Sequence, residues 1–115
     1  MNIIYQENKE EMVWMLVIKF GKRIINGEAT ELLQEKFSRE FKTLQDLGAQ
    51  LLEAKAIKYT ETRSMDWDFG SNDTYQLELT DVLYRFQVAE EDVEKVKNFL
   101  DLLQELDYEF EYRLQ

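Results

Sequence analysis

The sequence predicts a single α+β domain in the order β-α-β-β-α-β, an antiparallel sheet with two helices in a ferredoxin-like arrangement. A length of 115 residues suits one domain. Stretches after Thr30 and after Glu90 repeat apolar residues at three- and four-residue spacing, the helical period, while the segments between and around them alternate or run apolar over strand-like lengths.

The first element is a strand from Met12 to Phe20. Met12, Trp14, Leu16, Ile18 and Phe20 form one face, and Val13, Met15 and Val17 form the other until Lys19. Apolar residues on both faces predict a central strand covered on both sides. Gly21 to Gly27 reads as a basic, turn-rich connection. Thr30 is expected to cap a helix with Glu31 in its first turn. Leu33, Phe37, Phe41, Leu44 and Leu47 make its buried stripe, and Gly48 closes it.

Leu51 to Arg63 reads as the second strand, with Ile57 and Tyr59 on one face. Ser64 to Asp73 reads as a strand end or a wide loop around Gly70. Tyr75, Leu77 and Leu79 then alternate at odd positions, whereas Val82, Tyr84, Phe86 and Val88 alternate at even ones. Keeping both sets inward requires a bulge or tight bend near Thr80 and Asp81. Glu90, Glu91 and Asp92 open a second helix, whose stripe is Val93, Val96, Phe99, Leu100, Leu103 and Leu106. Tyr108, Phe110, Tyr112 and Leu114 alternate with polar residues, as an edge strand does. If Tyr75 to Val88 splits in two and Met65 to Phe69 adds a strand, the alternative is a PUA-like small β-barrel with two helices.

Composition narrows the chemistry. The chain has no histidine and no cysteine. The commonest general base and the best nucleophile are therefore missing, along with thiolate metal ligands and disulfides. No glycine-rich phosphate loop is present. The expectation is a non-enzymatic protein with no cofactor and no metal. Met12 to Ile18 is the longest apolar run, against about 20 residues for a spanning helix. No basic and apolar leader opens the chain. A cytoplasmic protein without membrane contact is expected.

The formal net charge is -10, from 14 Lys and Arg against 24 Asp and Glu. Such a field repels phosphates at long range and favours a basic partner. Against it stands a basic set, Lys19, Lys22, Arg23, Lys55 and Lys58, which with Tyr59 can form a patch for single-stranded RNA if the residues share a face. The competing reading is scattered surface lysines. Asp66, Trp67 and Asp68 form a second candidate, with Trp67 as the anchor for a partner. Carboxylates at alternate positions from Asp66 to Asp73 can also converge on calcium, although the glycine misses the EF-hand register. The ordinary reading is a solvated loop. Between Glu90 and Gln115 the acids Glu90, Glu91, Asp92, Glu94, Asp101, Glu105, Asp107, Glu109 and Glu111 outnumber Lys95, Lys97 and Arg113, a surface that mimics nucleic acid if it is continuous. The last strand offers an edge for homodimerisation.

The strand Met12-Val13-Trp14-Met15-Leu16-Val17-Ile18-Lys19-Phe20-Gly21-Lys22-Arg23, and the stretch Tyr59 to Leu79 around Met65-Asp66-Trp67-Asp68-Phe69-Gly70, resemble the PrgU-type regulatory proteins of conjugative plasmids in Gram-positive cocci. The resemblance implies a PUA-like fold, RNA binding and restraint of conjugation surface-protein expression. The expected function is thus a regulator that binds RNA or a regulatory protein. The alternatives are an acidic inhibitor from a phage or plasmid, and a small-ligand or ion-sensing module.

Overall fold

The computed structural model describes residues 12–66 and 72–115, and the N-terminal segment 1–11 lies outside it. The chain runs β1 (Val13–Arg23), α1 (Ala29–Lys36), α2 (Ser38–Asp46), β2 (Ala49–Asp66), β3 (Asn72–Ala89), a 3₁₀ turn (Glu90–Asp92), α3 (Val93–Glu105) and β4 (Glu111–Leu114). The strands form one open antiparallel sheet in the order β2-β3-β1-β4. β1 is therefore central and β4 an edge, as their hydropathy patterns predict. Among the described residues there are three α-helices rather than two, because the predicted first helix is divided at Phe37.

That division is a kink rather than a break in hydrogen bonding. Phe37 departs from helical dihedrals at φ -108° and ψ 33°. Its N–H still donates to the Leu33 carbonyl, and its own carbonyl accepts from Phe41. Turning the chain here stacks Phe37 on Phe20 at 5.4 Å, while Phe41 meets the edge of Tyr84 at 4.8 Å. Aromatic packing on the sheet thus outweighs helix regularity. Thr30 is not the cap. Glu28 holds that position without a side-chain cap bond, and the Thr30 carbonyl instead accepts the Tyr84 hydroxyl at 2.6 Å. Gly48 ends α2 as expected, with φ +109° and its N–H donating to the Gln45 carbonyl.

All three helices cover one face of the sheet. Leu16, Ile18 and Phe20 from β1 and Val82, Tyr84, Phe86 and Val88 from β3 meet Leu33, Leu44, Val96 and Leu100 there. Each such side chain contributes about 1.5–3 kcal/mol on burial. Among the described residues the opposite face carries no helix, which differs from the expectation that β1 is covered on both sides. Met15 and Val17 lie there partly exposed.

β3 runs through Thr80 and Asp81 without a bulge, also against expectation. The irregularities fall in its neighbours: between Phe20 and Arg23 of β1, where Lys22 takes φ +55°, and between Leu51 and Glu53 of β2. Because β3 alternates without interruption, its two apolar sets face opposite sides. Val82, Tyr84, Phe86 and Val88 face the helices, whereas Tyr75, Leu77 and Leu79 have the opposite parity: Tyr75 is exposed and Leu77 half-buried along the ribbon, and Leu79 is buried at its base.

β3 pairs with β1 no further than Thr80, so Asn72–Leu79 continues with β2 alone as a two-stranded ribbon. Eight residues at about 3.3 Å each carry it roughly 26 Å from the body. The radius of gyration is 19.9 Å, against roughly 13 Å for a compact domain of this length.

Candidate binding face

The helix-free face of the sheet is the candidate site. Cross-strand pairing sets its side chains in rows. One row runs Lys55, Leu83, Lys19 and Glu111 across β2, β3, β1 and β4. The next runs Glu53, Arg85, Val17 and Arg113. Met15 lies beyond Val17 on the same face, opposite Gln87. The result is an aliphatic centre of Met15, Val17 and Leu83 edged by charge of both signs. Arg85 pairs with Glu53 at 3.0 Å. Lys55 and Arg113 have no acidic partner among the described residues.

Beside these rows, a cleft of about 390 Å³ lies between Lys19, Lys22, Tyr59, Asp81 and Glu111. Asp81 organises it. Its Oδ1 accepts from the Tyr59 hydroxyl at 2.9 Å and from the Lys22 backbone N–H at 2.9 Å, and its Oδ2 lies 3.7 Å from Lys19 Nζ. The Lys22 N–H, the Tyr59 hydroxyl and the Lys19 ammonium all favour the carboxylate, and together they hold Asp81 below its usual range against a burial effect that opposes them. Tyr59 is shifted upward, by desolvation and then by that same carboxylate. An acid held ionised and a phenol held protonated supply fixed charge and hydrogen bonds at neutral pH. Neither is poised to transfer a proton.

The predicted basic set does not share one face. Lys19, Lys55 and Tyr59 lie on the open side, with Lys22 at the rim of the cleft. Lys58, Thr80 and Arg23 form a row on the other side. Arg23 is a structural tie there. Its Nη2 donates to the Glu109 carbonyl at 2.6 Å, its guanidinium lies 5.5 Å from the Phe20 ring centre, and its Nε is buried without a partner. Lys19 is partly neutralised by Asp81, an acid that the sequence-based patch left out.

Of the second candidate, Trp67 and Asp68 lie outside the described residues, as does most of the proposed calcium loop. Asp66 ends β2 opposite Asn72. No cluster of three or more potential metal ligands occurs among the described residues. The C-terminal acids do not make one stripe. Glu94, Asp101 and Glu105 share the outer side of α3, but Asp101 accepts the Tyr112 hydroxyl, Asp92 pairs with Lys95 at 3.1 Å, and Glu111 stands on the open face. No helix among the described residues is long and apolar enough to cross a membrane.

Leu83, Arg85 and Arg113 were not among the residues predicted for the site. Their signal is parity: each alternates with residues that face the helices, Tyr84 and Phe86 in β3 and Tyr112 and Leu114 in β4. A scan against protein-family models and a search of curated proteins each found no match to this chain.

Proposed function

We propose that this protein is a non-enzymatic docking module that binds a protein partner through the helix-free face of its sheet. The observation that carries this reading is the aliphatic strip Met15, Val17 and Leu83, covered by no helix among the described residues and flanked by Arg85, Arg113, Lys55 and Glu53. A partly exposed apolar centre within a mixed-charge rim has the anatomy of a protein–protein contact. Single-stranded RNA readers of similar layout stack bases on aromatic side chains of the central strands. Here the corresponding open-face positions of β1 and β3 hold Met15, Val17, Lys19, Leu83, Arg85 and Gln87, none of them aromatic.

In this reading the fold is a split β-α-β plait of the ferredoxin-like kind, with a kinked first helix and an extended ribbon. The protein works in the cytoplasm, where a cysteine-free chain is at no disadvantage. A regulator of gene expression, as the PrgU-type resemblance implies, would act here by occupying another protein rather than a transcript.

The test is affinity capture from native-host extract with the wild type and with Leu83→Asp, each with and without nuclease. The expected result is a protein retained by the wild type, insensitive to nuclease and lost with Leu83→Asp. Recovery of RNA that nuclease removes would replace this reading with the RNA-binding one.

A further inference from the structure

We infer that the outer edge of β2 is built to pair with β2 of a second copy, antiparallel, with Lys58 on the two-fold axis. β2 is an edge strand of 18 residues, and among the described residues it pairs only through its β3 side. It is regular from Glu53 onward, past the irregularity between Leu51 and Glu53. Exposed Leu51, Leu52 and Ile57 lie along it. A long, regular, unpaired edge of this kind is an open template for another strand.

The charge order selects the second strand. On the open face β2 presents Glu53, Lys55, Ile57, Tyr59, Glu61 and Arg63 in turn. When two such strands meet antiparallel with Lys58 opposite Lys58, Glu53 meets Arg63, Lys55 meets Glu61 and Ile57 meets Tyr59, each pair occurring twice. Every pair is opposite in charge or apolar, the combinations that stabilise cross-strand neighbours. Moving the axis to Ile57 sets Glu53 against Glu61. Moving it to Tyr59 sets Lys55 against Arg63. An axis on Ala54 matches Glu53 with Lys55 but runs across the irregularity at Leu52.

Charges on an edge strand ordinarily guard it against association. Guard residues of one sign repel an identical strand, whereas this order reads as its own complement. The opposite face is permissive: Ala54 meets Thr62 and Ala56 meets Thr60, with only the central Lys58 pair repelling. In this register the ribbon of each copy lies along the body edge of the other, beside the groove between α2 and β2 near Phe41, Gln45 and Leu51. The helices of both copies lie on one side, and their open faces join into one continuous face.

Sedimentation of the full chain should show a dimer. Lys55→Glu should weaken it about tenfold by opposing Glu61, and Lys55→Glu with Glu61→Lys should restore it. The protein has no cysteine of its own. Lys58→Cys alone should therefore be linked to its own copy by a short bis-maleimide. Ala54→Cys alone should not be, since the two Ala54 positions stand roughly 26 Å apart in this register. A mixture of Ala54→Cys and Thr62→Cys chains should be linked. A monomer at every concentration, association unchanged by Lys55→Glu, or linking through Ala54 alone would each overturn the inference.

Discussion

The Tyr59 hydroxyl and the Lys22 backbone N–H donate to the same oxygen of Asp81, each at 2.9 Å. Tyr59 belongs to the ribbon and Lys22 to the irregular end of β1, so one carboxylate ties the ribbon to the body. Asp81→Ala should destabilise the protein by about 1–3 kcal/mol, because it strips the Lys22 N–H and the Tyr59 hydroxyl of their acceptor. Urea unfolding at neutral pH measures this. Tyr59→Phe, which removes only one donor, should lower the urea midpoint less than Asp81→Ala does.

The same residue should give acid sensitivity. Asp81 is held below its reference value of 3.8 in the folded state, chiefly by the Lys22 N–H. Its contribution is complete above that value and is lost as the pH falls through the lower folded-state value. Asp81→Asn should therefore show a flatter fall in stability below about pH 4, read from urea midpoints across that range.

At the alkaline end the sign reverses. Burial pushes Tyr84 up to about 12, and burial with the Asp101 bond pushes Tyr112 up to about 12, from 10.0. The folded protein favours both neutral phenols, so their contribution is intact below about pH 10 and is lost as the pH rises from there toward about 12. Tyr84→Phe with Tyr112→Phe should flatten that loss. At neutral pH, Tyr84→Phe should cost about 1 kcal/mol through the bond to the Thr30 carbonyl.

Gly48 should resist replacement for two separable reasons. Its φ of +109° disfavours any side chain, and a Cβ there would run into the Asp92 carboxylate. Gly48→Ala should cost roughly 1–3 kcal/mol. Gly48→Ala in an Asp92→Ala background should cost less than in the wild type, a coupling that a double-mutant cycle in urea detects.

The ribbon should be dispensable for folding of the body. Among the described residues, none between Ile57 and Leu79 belongs to the main core cluster. Joining Lys58 to Thr80 by an Asn-Gly turn should leave the far-ultraviolet circular dichroism of a folded α+β body and a cooperative melt. Sedimentation of the same variant should show loss of self-association.

Much of the fold is legible from local rules. The central place of β1 follows from a strand apolar on both faces, and the end of α2 follows from Gly48. The kink at Phe37 is not legible, because Leu33, Phe37, Phe41 and Leu44 fit one continuous helical stripe. Only the rings of Phe20 and Tyr84, distant in sequence, make the kink favourable. The parity change in β3 is visible, but its resolution is not. The expectation assumed that both apolar sets need the same core, whereas the sheet gives the core to Val82, Tyr84, Phe86 and Val88 and sets Tyr75 and Leu77 on the opposite parity. The basic set failed as a unified patch for a related reason. Lys55 and Lys58 differ in parity, and sequence proximity does not offset that.

The uninterrupted course of β3 also makes the ribbon a ruler. Its distal end stands at a distance and angular phase from Leu83 set only by the number of residues between. Adding two residues to each strand at matched positions would move the end outward by about 7 Å with the same side chains still facing the same way. Adding one to each would turn the Tyr59 and Leu77 stripe to the reverse side. The length of this hairpin is thus a quantised variable, free to change in even steps and resistant to odd ones.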